Sequence, residues 1–151
     1  MTKWLVAKPA PMSAGARDIE RIEYTIPERP LLHVCCANDH FGDVNVDIRP
    51  EVNPDYVCDI TLPLPFPPDS FGAVVGDLPW TAAWKHKVSV AVRECLRVAP
   101  VAYFLCPWTY GASWIKIPTF MVAWTPGVNQ ALLWTRYERK PLDDGKGEDA
   151  T

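Results

Sequence analysis

A series of short, continuous apolar runs, separated by proline-rich segments, limits the fold of this chain more than any other feature. The runs are LLHVCC at 31–36, DVNVDI at 43–48, DYVCDI at 55–60, FGAVVGD at 71–77 and VAYFLC at 101–106. Short apolar runs bounded by turn residues are typical of strands that are buried on both faces. The segment TLPLPFPPDS at 61–70 must be a loop, because proline has no N–H group to donate to a strand ladder.

One segment, AAWKHKVSVAVRECLRVA at 82–99, changes to a helical period. The apolar residues that share one face of this predicted helix are Val88, Val92, Cys95 and Leu96. Two later runs, SWIKIPTFMVAW at 113–124 and NQALLWTRYER at 129–139, flank the turn TPGV and predict an antiparallel pair. Together, the elements predict an α/β fold with a mostly parallel sheet and a C-terminal antiparallel hairpin.

Length and charge predict a single domain over 1–142 and a disordered acidic tail over 143–151. The tail carries a charge of −3, which equals the net charge of the whole chain, so the domain itself is balanced. No global basic field is therefore available to attract nucleic acid. The sequence KHK at 85–87 is either a local basic patch or the solvated start of a helix. Near the N-terminus, the sequence SAGARDIERIEY at 13–24 suggests a short helix.

The sequence gives little indication of a membrane-spanning segment, a metal site or disulfide bonds. The chain contains no run of about 18 apolar residues, and the apolar patch at its N-terminus is too short for a secretory signal. We therefore expect a cytoplasmic protein with no membrane contact. The five cysteines are an odd number without CxxC spacing, which favours reduced, buried thiols. The three histidines lack paired ligands at short spacing, so no metal is expected.

Three carboxylates lie at the ends of three of the predicted strands, namely Asp47, Asp59 and Asp77. Each could be an ordinary turn residue, a position that aspartate favours. In parallel sheets, however, the carboxyl ends of the strands share one edge, and ligands gather there. Three acids in succession therefore also predict a ligand site at that edge.

The stretch from Leu31 to Cys106 resembles class I S-adenosylmethionine-dependent methyltransferases. The resemblance rests on LLHVCCANDHFGD, on VNVDIRPE and on VCDITLPLPFPPDSFGAVVGDLPW. It implies a minimal Rossmann-like methyltransferase sheet and S-adenosyl-L-methionine as cofactor, with a methionine-binding loop after the first strand, Asp47 at the ribose and Asp59 at the adenine. The implied cofactor-binding residues are Cys35, Cys36, Ala37, Asp47, Ile48, Asp59 and Ile60.

Two features depart from the family pattern. The first loop, CCANDHFGD, contains Gly42 as its only glycine, so small Cys36 and Ala37 must stand where the family has glycines. The first two strands are also too close in the sequence for a helical crossover, which usually takes a dozen residues or more. We therefore expect a first crossover that is shortened to a turn or a loop.

The sequence DLPW at 77–80 resembles the (D/N)PP(Y/F/W) signature of amino-methyltransferases, with leucine in place of the first proline. The resemblance implies that Asp77 and the Leu78 carbonyl accept the two N–H groups of an exocyclic amine. Trp80 would stack on the base, and Pro79 would stiffen the turn. Alternatively, Asp77 is a turn former and Trp80 belongs to the core.

The sequence thus predicts a methyltransferase, with an exocyclic amine of DNA or RNA as one acceptor. Two alternatives stay open: a non-catalytic module that binds the cofactor or supports a partner, and a methyltransferase for a small molecule or protein. Aromatic residues could form a stacking wall, pack in the core, or form the surface of a homodimer or protein complex. These residues are Trp84, Trp108, Tyr110 and Trp114.

Overall fold

The computed structural model describes residue 26, residues 28–123 and residues 132–141. Three sequence predictions lie outside these residues: the short helix near 13–24, the turn TPGV at 125–128, and the acidic tail at 143–151. The predicted division into a domain and a tail therefore stays a prediction.

Seven strands form one sheet in the order β3-β2-β1-β4-β5-β7-β6. The strands are β1 (Leu31–Val34), β2 (Val44–Asp47), β3 (Tyr56–Val57), β4 (Ala73–Asp77), β5 (Val101–Cys106), β6 (Thr119–Ala123) and β7 (Leu132–Glu138). Strands β1 to β5 pair in parallel, whereas β7 is antiparallel to both β5 and β6. The predicted α/β fold with its C-terminal antiparallel pair is therefore confirmed. The third strand is shorter than predicted, because only two of its residues pair with β2.

The predicted helix over 82–99 divides into two elements, so its predicted start is wrong. Residues Ala82–His86 form a 3₁₀ helix with no buried residue, and helix α1 covers Val88–Val98. The α-helix starts where the apolar face starts, because burial of that face stabilises it. A second 3₁₀ helix covers Pro50–Val52. No helix in the described residues is long and apolar enough to span a bilayer.

Helix α1 lies against one face of the sheet and buries its apolar stripe there. Val92, Cys95 and Leu96 are at most 1% exposed and share one cluster with side chains of β1, β2, β4 and β5. Each buried valine or leucine contributes about 1.5–3 kcal/mol relative to an exposed one. A second cluster lies on the opposite face and includes Leu31, Val75 and Trp134.

A loop, rather than a helix, connects the parallel strands β1 and β2. It passes close under β1 at Gly42, where a Cβ atom would lie 2.4 Å from the Val44 oxygen and 2.8 Å from the His33 backbone nitrogen. Asn45 holds this loop, since its Oδ1 accepts the Gly42 N–H at 2.9 Å while its Nδ2 donates to Asp55 at 3.1 Å. The predicted shortening of the first crossover is confirmed, and hydrogen bonds from the buried Asn45 hold the loop that stands in place of a helix.

The proline-rich segment that precedes β4 is fixed to α1 by an ion pair. Glu94 accepts the Leu64 N–H at 2.7 Å and pairs with Arg97 at 2.6 Å. Arg97 in turn donates to the carbonyls of Leu64 and Phe66 at 3.1 and 2.9 Å. These contacts satisfy backbone groups that a proline-rich loop cannot pair within a ladder.

Candidate functional site

A cavity of about 890 Å³ opens at the carboxyl ends of β1, β2 and β4. Its volume lies within the range of small-molecule and cofactor sites. All eleven residues that the sequence nominated line this one cavity. They are Cys35, Cys36, Ala37, Asp47, Ile48, Asp59, Ile60, Asp77, Leu78, Pro79 and Trp80. The structure therefore brings them together, while the individual roles stay predictions.

The loop after β1 bends through two residues with left-handed backbone, Cys35 (φ 50°) and Ala37 (φ 47°). Residues other than glycine adopt this conformation at a cost of about 1–2 kcal/mol. Cys36, between them, is buried and donates its N–H to the Val46 carbonyl at 3.1 Å. The loop thus reaches a glycine-like path without glycine, because contacts with β2 hold it in place. The thiol of Cys35 is not ionised at neutral pH, since burial raises its pKa to about 12.

Asp47, the last residue of β2, lies beneath this loop and is only 3% exposed. Its Oδ2 accepts the Ala37 N–H at 2.9 Å and an Arg49 Nη2–H at 3.3 Å. Its Oδ1 accepts the Arg49 backbone N–H and the Arg49 Nε–H, both at 3.0 Å. Burial alone would raise the pKa of this carboxyl, but the hydrogen bonds from Arg49 and Ala37 outweigh it and lower the pKa. Asp47 is therefore ionised, with Oδ2 bonded to the loop after β1 through Ala37 and both oxygens bonded to Arg49.

Asp59 is half-buried in the segment after β3 and holds a turn. Its Oδ1 accepts the Thr61 N–H at 2.9 Å and the Thr61 hydroxyl at 2.7 Å, and these bonds lower its pKa. No donor among the described residues contacts Oδ2. Asp59 can therefore accept a hydrogen bond from a ligand on Oδ2 without breaking its own turn.

Asp77 ends β4 and differs from the other two acids in its surroundings. The residue keeps an exposed face toward the cavity, but protein atoms crowd its carboxyl, and this desolvation raises its pKa to about 6. Trp80 opposes the shift, because its Nε1–H donates to Oδ1 at 3.0 Å. Most of the acceptor capacity of Asp77 stays open to a ligand. The sequence did not reveal this role of the Trp80 N–H.

The backbone next to Asp77 is fixed by the sheet. The Leu78 N–H donates to the Leu105 carbonyl at 3.0 Å and so extends the β4–β5 ladder by one residue. The Leu78 side chain is 1% exposed, which anchors the peptide in the core. No described donor contacts the Leu78 carbonyl. Leucine therefore rigidifies this position by burial, where the signature has proline.

Several cavity residues were not nominated from the sequence as cofactor or catalytic groups. They are His33, Asp39, Phe41, Arg49, Cys58, Thr81, Trp84, Lys87 and Leu105. Lys87 places its Nζ 5.8 Å from the centroid of the Trp84 ring, so a cation and an aromatic ring share the cavity wall. His33 is neutral at pH 7, because burial lowers its pKa to about 4. Arg49 directly follows the nominated Ile48, but a single arginine in a loop carries no pattern that marks it.

Only part of the proposed aromatic wall reaches the cavity. Trp84 lines it, whereas Trp108, Tyr110 and Trp114 do not; these three pack against the main core cluster. Trp114 also lies under Arg93, 5.9 Å from the guanidinium carbon to the ring centroid. The core interpretation is therefore supported for these three residues. Within the described part of the chain, no group of three or more His, Cys, Asp or Glu residues could hold a metal ion.

Comparison with solved structures identifies the fold. A proposed RNA methyltransferase from Pyrococcus horikoshii superposes with a TM-score of 0.50 at 8% identity, over 74% of this chain and 75% of its own. A SAM-dependent methyltransferase from Aquifex aeolicus gives a TM-score of 0.42 at 11% identity, over 72% of this chain and 81% of its own. The first of these likenesses, together with the strand order of the sheet, supports a Rossmann-like α/β fold. No family model matches the sequence, and no curated protein does.

Proposed function

We propose that this protein is an S-adenosylmethionine-dependent methyltransferase that modifies an exocyclic amine of a nucleobase. The observation that carries the proposal is the placement of Asp47, Asp59 and Asp77 around one cavity of a methyltransferase-type fold. The first two suit a nucleoside, and the third suits the amine that receives the methyl group. The likeness to solved structures supports the fold, and the substrate rests on the side chains.

The described residues fit the cofactor by their chemistry. Asp59 Oδ2 can accept from the amino group of adenine, and Asp47 is an ionised acceptor of the kind that holds a ribose diol. The loop from Cys35 to Ala37 brings backbone close to the cavity beside them. When bound, the cofactor supplies an electrophilic methyl group on a sulfonium sulfur.

The acceptor half of the cavity suits an amine whose lone pair is delocalised into a ring. Asp77 would accept one N–H of this amine, and the Leu78 carbonyl would accept the other. Two fixed acceptors restore nucleophilic character to the nitrogen and orient its lone pair. Trp80 holds the carboxylate of Asp77 in place through its N–H. After transfer, the nitrogen carries an extra proton, which the Asp77 carboxylate can take because its pKa is raised to about 6.

A nucleobase would reach this cavity from a single strand or by flipping out of a duplex. Trp80 and Trp84 line the cavity and offer ring faces to an extruded base, a contact worth about 1–3 kcal/mol. Lys87 lies over Trp84 and offers a cation to a phosphate. These residues favour a nucleic acid over an uncharged small molecule. A homodimer or a protein partner stays a prediction.

One observation favours a second candidate, a module of the same fold that binds no cofactor. The Asp47 carboxylate accepts four hydrogen bonds from the chain itself, which leaves no acceptor position for a ribose while all four are intact. The two candidates differ in two measurable properties, because only the methyltransferase binds S-adenosylmethionine and transfers its methyl group.

Transfer of a labelled methyl group from S-adenosylmethionine to DNA, RNA and cell extract, in parallel, tests the proposal. We expect label in nucleic acid, loss of at least about 100-fold in Asp77→Ala, and no loss in the control Glu51→Gln. Glu51 is an exposed acid on a 3₁₀ helix that does not line the cavity. Label in protein or small molecules alone would reject the nucleobase, and absence of any transfer would favour the second candidate.

A further inference from the structure

Arg49 occupies most of the acceptor positions of the Asp47 carboxylate, on which cofactor binding would depend. It supplies three of the four hydrogen bonds that Asp47 accepts, one from its backbone and two from its side chain, through Nε to Oδ1 and through Nη2 to Oδ2. The fourth comes from Ala37. A carboxylate has about four acceptor positions, so Asp47 is saturated. A ribose diol can bind it only after some of these bonds break.

The two kinds of bond differ in how easily they can break. The Ala37 and Arg49 amides belong to the backbone of the loops that shape the cavity. The Arg49 side chain, in contrast, is 51% exposed, while the Asp47 side chain is 3% exposed. Among the described residues, Asp47 is its only hydrogen-bond partner. The guanidinium is therefore the mobile partner of a fixed acid.

We infer that the Arg49 side chain occupies the ribose-binding positions of Asp47 when the cavity is empty, and that a nucleoside must displace it. This inference rests on the proposed function, because it assigns the competitor at the same site. Nε bonds Oδ1 and Nη2 bonds Oδ2, so the guanidinium engages both oxygens as two vicinal hydroxyls would. The cofactor affinity therefore depends on how much more strongly Asp47 binds the ribose diol than it binds the Arg49 guanidinium.

Removal of the competitor should tighten binding. The pair is open to water on the Arg49 side, so its contribution is that of an exposed ion pair, and we expect a gain in affinity of about two- to fivefold. Salt screens such pairs, so the gain should shrink between low and high ionic strength. An arginine that merely orients Asp47 for the cofactor would give the opposite sign.

Titration calorimetry with S-adenosylhomocysteine tests the inference, because this ligand has no net charge and long-range attraction to Arg49 is small. The proteins to compare are the wild type, Arg49→Gln, Arg49→Lys and the control Arg93→Gln. Arg93 is an exposed arginine of α1 that does not line the cavity. Its replacement by glutamine changes the net charge by the same amount as Arg49→Gln, but away from Asp47. We expect tighter binding in Arg49→Gln, a smaller gain in Arg49→Lys, and none in the control.

A matched pair of ligands locates the effect on the ribose. Adenosine should bind Arg49→Gln more tightly than the wild type, whereas 2′,3′-dideoxyadenosine, which lacks both hydroxyls, should bind the two proteins equally. NMR titration can measure such weak affinities, and Arg49→Lys replaces Arg49→Gln if the latter does not fold. Equal or weaker binding of S-adenosylhomocysteine by a folded Arg49 variant would overturn the inference while leaving the proposed function intact. Absence of binding in all four proteins would overturn both.

Discussion

The carboxylates of Asp47 and Asp77 stand at the same edge of one sheet, at the ends of β2 and β4, yet they are held in opposite ways. Asp47 is 3% exposed and accepts four hydrogen bonds, which lower its pKa. Asp77 faces the cavity with a single bond from Trp80, and desolvation raises its pKa to about 6. Strand position alone therefore does not decide how an acid behaves.

This contrast suits the two carboxylates to different functions within one cavity, namely ligand binding and proton acceptance. A carboxylate that holds a loop in place and binds a ligand benefits from a constant negative charge. Hydrogen bonds from several N–H donors provide it, because they lower the pKa of the carboxyl. A carboxylate that accepts a proton during reaction benefits from a pKa close to the working pH. We therefore divide the cavity into a binding half around Asp47 and Asp59 and an acceptor half around Asp77–Trp80.

The largest expected difference concerns folding stability. Asp47→Ala leaves the Ala37 N–H and the Arg49 groups without their acceptor and should cost about 2–4 kcal/mol of unfolding free energy. Asp77→Ala removes a crowded carboxylate with one hydrogen bond, and because desolvation makes its ionised form unfavourable in the folded protein, the variant should be as stable as the wild type or more stable at pH 7.5. Urea unfolding at pH 7.5 measures both variants. Equal losses would remove the distinction between the two halves.

The second prediction concerns the pH dependence of methyl transfer. If the ionised form of Asp77 is the active one, the rate should rise about tenfold between pH 5 and pH 7, with a midpoint near the pKa of about 6. Asp77→Asn keeps one carbonyl acceptor but cannot ionise, so its lower rate should not change over this range. A wild-type profile that is flat between pH 5 and pH 7 would show that ionisation of Asp77 does not limit transfer.

The third prediction uses the opposite signs of the two pKa shifts. The pKa of Asp77 is raised in the folded protein, so its contribution to stability is complete below its ordinary value of 3.8 and is lost as pH rises through about 6. The pKa of Asp47 is lowered, so its contribution is complete above the same ordinary value and is lost as pH falls below it. Relative to the wild type, Asp77→Asn should therefore gain stability with rising pH, while Asp47→Asn should lose it. Thermal unfolding at pH 3.5 to 7.5 gives both curves, and parallel curves would contradict the assignment.

A smaller effect is expected from Trp80→Phe, which keeps an aromatic ring but removes the N–H that bonds Asp77. This N–H lowers the pKa of Asp77, so its loss should raise that pKa and move the midpoint of the rate profile to higher pH. The rate at pH 8, where Asp77 is ionised in both proteins, should fall by only about two- to threefold if stacking is retained. An unchanged midpoint would mean that the indole N–H does not control Asp77.

The smallest effect is expected from Ala37→Gly in the binding half. Ala37 has a φ of 47°, which glycine adopts without strain, so the variant should gain up to about 1 kcal/mol of stability. The control is Ala83→Gly, in an exposed 3₁₀ helix with ordinary backbone, which should lose about 0.5–1 kcal/mol. Chemical denaturation compares the two, and a loss of the same size in both would show that the loop is unstrained.

The sequence revealed the sheet better than it revealed the site. Strands β1, β2, β4 and β5 follow from continuous apolar runs, since burial on both faces leaves such a run in the sequence. Asp47 and Asp77 follow from their positions at the ends of two of those runs, Asp47 next to last in its run and Asp77 last in its run. Helix α1 was predicted to start too early, because Ala82–His86 are compatible with a helix but bury nothing against the sheet.

Details of the site depend on contacts that no local pattern records. The left-handed backbone of Cys35 and Ala37 follows from contacts with β2 rather than from the residue types themselves. The saturation of Asp47 requires Arg49 to fold back by two residues, and the shift at Asp77 requires the crowding of its carboxyl by the folded chain. Such effects exist only in the folded chain, which is why the sequence predicted where the acids lie but not how they differ.

Calorimetric titration of S-adenosylmethionine into the wild type, Asp47→Ala and Asp77→Ala tests the division of the cavity most directly. We expect the wild type to bind, Asp77→Ala to bind with an affinity within about threefold of it, and Asp47→Ala to show no binding although circular dichroism reports a folded protein. Equal affinity in Asp47→Ala and the wild type, or loss of binding in Asp77→Ala, would contradict the assignment of cofactor and acceptor to separate halves.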